Sequence, residues 1–314
     1  MKTLPQQPPR VSVVTPGVVH LPLGQGNDAW VLHDGSYTAR PVEDCAWNAS
    51  KPDVEAALAD AGLPTDIVHL QVLPLLVRWN GELILIDPGC ASAYGPNLGW
   101  MEKRLGALGI SPGQINRVLF SHLHLDHVAG SLSDDFKALR YPNAKYAVAG
   151  NEWAFWTQSA PDLSQTKVPV ERQEAIIQAI RPALETLGSH LSFFDAGDEI
   201  VRGLRAIDLA GHTPGQVGFK FARDADVSGS LELVYVADAM VDPSLHVPHP
   251  EWTLIGDSVP ALVEKSRRKL LREAVERQQI LAGYHFALPG FGTVREVGAD
   301  DFRFSPLAWS FPSP

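Results

Sequence analysis

The chain has 314 residues, 45% hydrophobic and 20% charged, proportions that build a substantial buried core and exclude disorder or a fibrous repeat. Its 36 acidic and 26 basic side chains give a formal net charge of −10, which repels a phosphate backbone and argues against a nucleic-acid partner. The two cysteines, Cys45 and Cys90, lie outside any Cys-x-x-Cys spacing; a thiolate metal site or redox motif is unsupported, and two unpaired thiols are favoured.

In chain order, Met1 to Gly17 carries prolines at positions 5, 8, 9 and 16 and no apolar h-region, so the expectation is a cytoplasmic protein. Strand-like runs rich in Val, Ile and Leu follow at Leu70–Arg78, Glu82–Asp87, Arg117–Ser121, Lys145–Ala149, Leu204–Leu209, Val217–Phe221, Leu231–Ala237 and Gln279–Gly283. Trp79-Asn80-Gly81 supplies an Asn-Gly turn, which predicts a hairpin over Leu70–Asp87. The longest apolar stretches, Val72 to Val77 and Leu83 to Ile86, are of strand length and cannot span a bilayer. Helical patterns occupy Asp53–Ala61, Leu98–Leu108, Asn151–Gln158, Val170–Leu187 and Ser258–Gln278. Pro182 is expected to kink or end the fourth, and Ser258 to cap the fifth. The basic run Lys265 to Lys269 reads as a solvated helix face. Strands mixed with helices, some strands joined by short turns, imply mixed β-sheets with helices packed outside, an α/β (α+β) chain. No domain boundary is visible, so residues 1–314 are expected to form a single domain.

The chemistry concentrates in Ser121-His122-Leu123-His124-Leu125-Asp126-His127. The run follows a strand, so its polar residues emerge at the sheet's end, and His122 and His124 share one side of an extended backbone. Asp126 and His127 follow where the chain turns. One such histidine is ordinarily just a polar loop residue; three with an aspartate in six positions make a cage for Zn²⁺, Mn²⁺, Fe²⁺ or Co²⁺.

His-x-His-x-Asp-His after a strand resembles the signature of the metallo-β-lactamase superfamily, and the rest of that pattern recurs downstream in order. Gly211-His212-Thr213-Pro214-Gly215, Val236-Ala237-Asp238 and Tyr284-His285 each follow a strand, while Leu85-Ile86-Asp87-Pro88-Gly89 resembles a strand ending in Asp-Thr-Gly. The resemblance implies a four-layer αββα sandwich, with residues 68–314 as the metal-binding core behind an N-terminal extension at 1–67. It implies two divalent ions, zinc first: His122, His124 and His212 on one, Asp126, His127 and His285 on the other, and Asp238 bridging both. Asp87 would orient a ligand histidine through its other ring nitrogen. Gln216, Ser121, Ala129 and Pro88 depart from commoner residues of the pattern, and none of these changes removes a ligand.

A narrower likeness, to the methyl parathion hydrolase branch and its quorum-quenching lactonase relatives, rests on Asp34-Gly35, Gly95-Pro96-Asn97-Leu98-Gly99, the Trp153-to-Trp156 segment and His285-Phe286-Ala287-Leu288-Pro289-Gly290-Phe291-Gly292. It implies hydrolysis of small hydrophobic lactones or carboxylic and aryl esters, with organophosphate triesters as the alternative. The expected reaction is direct attack by metal-bound hydroxide, with Asp126 and Asp238 holding the charge and no serine or cysteine nucleophile. Trp153, Trp156, Phe286 and Phe291 are candidates for an apolar substrate pocket, with core packing as the competing reading. His246 and His249 would stand at its entrance or in a solvated loop; His20, His33, His69 and His190 are read as surface or loop residues. A homodimer is implied by resemblance only. A non-catalytic protein stabilised by its metal is the remote alternative, weakened because structural zinc takes four closed ligands and the pattern offers seven.

Overall fold

In the computed structural model, residues 11–39, 41–222 and 231–310 are described; Pro5, Pro8 and Pro9, part of the N-terminal expectation above, lie outside them. The strands begin with β1 Val11–Thr15, β2 Val18–Gly24, β3 Asn27–Leu32, β4 Gly35–Ala39, β5 Val68–Val72, β6 Leu75–Trp79, β7 Glu82–Ile86, β8 Arg117–Phe120 and β9 Lys145–Ala149. They continue with β10 Leu191–Phe194, β11 Glu199–Val201, β12 Leu204–Asp208, β13 Val217–Phe221, β14 Leu233–Tyr235, β15 Ile280–Ala282, β16 Phe291–Gly298, β17 Asp301–Pro306 and β18 Trp309–Ser310. The helices are α1 Lys51–Asp60, α2 Met101–Ala107, α3 Leu125–Val128, α4 Gly150–Trp156, α5 Val170–Leu187, α6 Pro243–His246 and α7 Pro260–Arg277.

Two mixed sheets face each other, one in the order β10-β9-β8-β7-β6-β3-β2-β1-β18 and the other β11-β12-β13-β14-β15-β16-β17. The period-two alternation of the strands explains why both faces of each are apolar. In β6, Leu75, Val77 and Trp79 point into the cluster shared by the two sheets, while Leu76 points out toward α2, α4 and α5. Ile84 and Ile86 of β7 face in with Phe219 and Phe221 of β13, and Leu85 faces out. On the far side, Val234 and Leu281 meet Leu270, Leu271 and Ala274 of α7. The result is the αββα sandwich that the sequence pattern implies. A separate ribbon, β4 paired with β5, is packed with α1 and the Val241–Trp252 region. No helix among the described residues is long and apolar enough to cross a membrane.

Several local expectations are corrected. The Asn80-Gly81 turn is present, with both residues at positive φ and Trp79 paired with Glu82, but the hairpin spans β6 and β7 only. Pro74, which has no N–H for a ladder, separates it from Val68–Val72, and that stretch pairs with β4 instead. Helix α5 runs through Pro182 without ending; the buried face of Ile180, Ala183, Leu184 and Leu187 carries it across the missing hydrogen bond. Ser258 does not cap α7. Its N–H donates to the His212 carbonyl at 3.0 Å, and the cap position falls on Val259. Within the basic run, Arg267 is fully buried and donates to the carbonyls of Ala239, Pro250 and Trp252, tying the segment after β14 to α7. Burial draws its guanidinium down to about 10. The segment after Tyr284, where the sequence shows no strand pattern, forms β16, β17 and β18, the last pairing parallel with β1.

Candidate metal centre

The candidate ligands lie just beyond the ends of β8, β12, β14 and β15. The last three strands run in one direction, since β12 and β14 are each antiparallel to β13 and β15 is parallel to β14. His212, Asp238 and His285 therefore leave the second sheet at one edge and meet the His122–His127 run leaving the first. Imidazole nitrogens of His122 and His212 stand 3.0 and 2.9 Å from His124 Nδ1. In a second trio, Asp126 Oδ2 lies 3.7 Å from His127 Nε2 and 3.5 Å from His285 Nε2. Asp238 stands between the trios, with Oδ1 3.2 Å from His127 Nε2 and Oδ2 3.5 Å from His212 Nε2 and 3.3 Å from His285 Nε2.

Each of four ring nitrogens facing away from this centre has its own partner. His127 Nδ1 meets Asp87 Oδ2 at 2.9 Å, His212 Nδ1 meets Asp257 Oδ1 at 2.9 Å, His285 Nδ1 meets the Gln71 carbonyl at 2.7 Å, and His122 Nδ1 meets Ser121 Oγ at 3.0 Å. An imidazole that donates from its outer nitrogen to an acceptor presents a lone pair on the inner one. Asp87 itself accepts from Ser121 N and Oγ, His127 and Tyr235 OH. Tyr284 donates to the Asp126 carbonyl at 2.6 Å and lays its ring 3.9 Å from that of His127.

The electrostatics suit a cation site. Burial, with His127 and His124 nearby, holds His122 well below the usual imidazole range; burial and His212 press His124 down to about 3. Burial opposes protonation of His127 too, but Asp238, Asp126 and Asp87 override it and push that ring up. Burial likewise disfavours ionised Asp238, and His285 and His127 outweigh it, holding the carboxyl well down. His127 Nε2 and Asp238 Oδ1 are buried, and beyond their mutual 3.2 Å approach, which lacks hydrogen-bond geometry, neither atom has a hydrogen-bond partner among the described residues. Buried lone pairs converging from imidazole and carboxylate, with orphaned atoms at the centre, fit divalent ions.

Glu152, which the sequence reading does not single out, joins the two ligand loops. Buried at the start of α4, it accepts from Leu123 N and Trp156 Nε1 through one oxygen and from Thr213 Oγ1 and Gly215 N through the other. A Cβ on Gly215 would lie 2.2 Å from Glu152 N, so the Thr-Pro-Gly turn needs its glycine for this approach. Burial pushes the Glu152 carboxyl up despite its four donors. Glu152→Ala orphans those donors and is expected to cost on the order of 3 kcal/mol, at about 1–3 kcal/mol per unmet buried group after partial relaxation. A drop in the urea midpoint at unchanged slope would register it, and an unchanged midpoint would refute it.

Of the four candidate pocket aromatics, two are placed in the core. Phe286 is fully buried against Phe304, and Phe291 is fully buried between the sheets; both are core residues, not pocket lining. Trp153 packs on Phe193, 5.9 Å between ring centres. Trp156 is buried, bonded to Glu152, with its ring 5.3 Å from that of His124. His246 is neither at an entrance nor in solvent: it is fully buried, its Nε2 2.8 Å from the Cys45 carbonyl. His249 stacks on Trp252 at 3.8 Å. His20 lies within β2 against Asp28 and Trp30. Cys45 and Cys90 are free and buried, and burial pushes both thiols up. Aromatics that do stand by the centre are Tyr37, bonded to Asp126, and Tyr94, half exposed and stacked on Tyr37. The segments at 44–47, 167 and 253–255 are tied to one another by backbone bonds, Ile255 to Asp44, Lys167 to Ile255 and Trp47 to Thr253. Neither Tyr37 nor Asp257 sits in a motif, so only the fold brings them here.

The sequence matches the metallo-beta-lactamase superfamily over residues 68–275. Uncharacterized protein YobT of Bacillus subtilis (strain 168) is 26% identical over 218 residues, which is 65% of this chain and 86% of that one. Among solved structures, AidC, a dizinc quorum-quenching lactonase in complex with a product, is similar with a TM-score of 0.85 at 27% identity, over 95% of this chain and 99% of AidC. AbOPH, a hydrolase in the beta lactamase superfamily, is similar with a TM-score of 0.82 at 24% identity, over 94% of this chain and 98% of that one, a likeness of fold. Because the superfamily match takes in more than half of the residues, the His122–His127 run, His212 and Asp238 among them, the chain belongs to the metallo-beta-lactamase superfamily.

Proposed function

We propose that the protein hydrolyses small hydrophobic esters, lactones foremost, using two divalent ions, zinc first, held by His122, His124 and His212, by Asp126, His127 and His285, and by Asp238 between them. Metal-dependent hydrolysis goes with membership of the superfamily; the pair of ions and the lactone preference are the finer step. The observation that carries it is Asp238, one carboxylate within 3.5 Å of histidines from both trios. The likeness to a dizinc lactonase over 95% of the chain supports both the ion count and the substrate class.

Bound divalent ions would supply Lewis acidity, lowering the pKa of a water from 15.7 to about 7 and polarising an ester carbonyl. The chain's own residues prepare the site. Asp87, Asp257 and the Gln71 carbonyl select the tautomers that leave inner lone pairs free, and Asp126 and Asp238 supply the balancing negative charge. Neither Ser121 nor Cys90 is set up as a nucleophile: Ser121 Oγ is committed to Asp87 at 2.5 Å, and the Cys90 thiol is buried and pushed up, away from thiolate.

The test is a panel of acyl-homoserine lactones, simple lactones, aryl esters and a nitrophenyl phosphotriester, run with metal-stripped protein and after restoring Zn²⁺, Mn²⁺ or Co²⁺. Lactone turnover that vanishes on stripping and returns with metal is expected. Turnover of the phosphotriester alone would replace the lactone reading with the phosphotriesterase one. No turnover by protein assayed to hold two ions would sink both.

A further inference from the structure

The ribbon of β4 and β5 brings two groups to one half of the centre. Its register pairs Ser36 with Gln71 and Tyr37 with Leu70. The Gln71 carbonyl holds His285 Nδ1, and Tyr37 OH lies 3.0 Å from Asp126 Oδ2 and 3.4 Å from His285 Nε2. Tyr37 also sets its ring edge-on to His285, 5.6 Å between centres. Both Tyr37 and His285 fall outside the stretch that matches the superfamily.

A carbonyl only accepts, so His285 carries its proton on Nδ1 and a lone pair on Nε2. The phenol has one proton to give, and Asp126 Oδ2 is both the nearer acceptor and the charged one. Donation to Asp126 leaves the His285 lone pair unclaimed and holds the aspartate in one orientation. Tyr37's bonds run to Asp126 and His285, both members of the second trio, so its influence should fall on that trio first.

We propose that Tyr37 is a positioning residue for the Asp126–His127–His285 trio, setting the affinity of that half of the centre for its ion and leaving the His122–His124–His212 half unchanged. This rests on the two-ion reading above. Partners that orient ligands are worth about 10–100-fold in metal affinity, so the loss expected on removing the hydroxyl is of that size.

The experiment is zinc titration of the full chain against a chromogenic chelator, with zinc stoichiometry measured after dialysis, for the native protein, Tyr37→Phe and Tyr94→Phe. Native protein should bind two zinc ions. Tyr37→Phe, which keeps the ring packing, should bind one as before and the second about 10–100-fold more weakly, with an unchanged circular dichroism spectrum. Tyr94→Phe should match the native protein. Unchanged affinity for both ions in Tyr37→Phe would overturn the proposal, as would equal weakening of both, which would mean a general structural role. Native protein that binds fewer than two ions would remove the two-ion reading itself, an outcome visible before any variant is compared.

Discussion

Asp238→Ala is expected to leave a folded protein that has lost more than about 100-fold in kcat/KM on its best substrate. Residues that merely orient a ligand are worth about 10–100-fold, and Asp238 reaches both trios directly. Loss of its charge also leaves His127 Nε2 facing the centre without its nearest carboxylate. The variant should hold less zinc at equal protein concentration, with its far-ultraviolet dichroism retained. Activity within tenfold of native would remove Asp238 from the reaction. Global unfolding would instead favour the structural-metal alternative raised by the sequence, because a structural ligand is needed for the fold and a catalytic one is not.

The second large effect belongs to Asp87. It lies at φ 48 just after β7 and is fully buried, and its two oxygens collect four donors from Ser121, His127 and Tyr235. Asp87→Ala removes every acceptor at once and puts a side chain poorly suited to positive φ in the turn. A loss of about 3–5 kcal/mol is expected, the range for breaking a buried charged pair from one side, together with about 10–100-fold weaker zinc binding. Asp87→Asn tolerates the backbone and keeps one acceptor oxygen, so it should fall between the two proteins. Urea unfolding of metal-stripped samples reads the first quantity and chelator competition the second. An alanine variant as stable as the native chain would show that Ser121, His127 and Tyr235 find other partners.

The cluster of candidate ligands was legible because its residues are few, polar and adjacent to strand ends, where a period-two backbone decides which side chains point together. His122, His124, Asp126 and His127 announce themselves by spacing; His212, Asp238 and His285 do so only because each follows an apolar run. What surrounds them was less legible. Asp257 lies 45 residues after His212 and Glu152 lies 61 residues before Thr213, with no periodicity linking either pair. Tyr37 lies in β4, five residues of sequence Gly-Ser-Tyr-Thr-Ala with too few apolar side chains to draw a strand from sequence. The pocket aromatics misled for a simpler reason. Phe286 and Phe291 flank a ligand in sequence, but β15 and β16 turn their rings into the two apolar clusters on either side of the second sheet. Proximity along the chain carries no information about which way a buried ring faces. Pro182 likewise signals a break only when local hydrogen bonding decides, and in α5 the packing of one apolar face does.

None of the seven candidate ligands comes from the tied segments at 44–47, 167 and 253–255, nor from the Tyr94 loop. Those segments lie outside the sheets, while the candidate ligands sit just beyond the ends of packed strands. Such a division lets mutation act on the two parts separately. Insertions or exchanges in those segments leave in place the geometry that the two sheets impose on the candidate ligands.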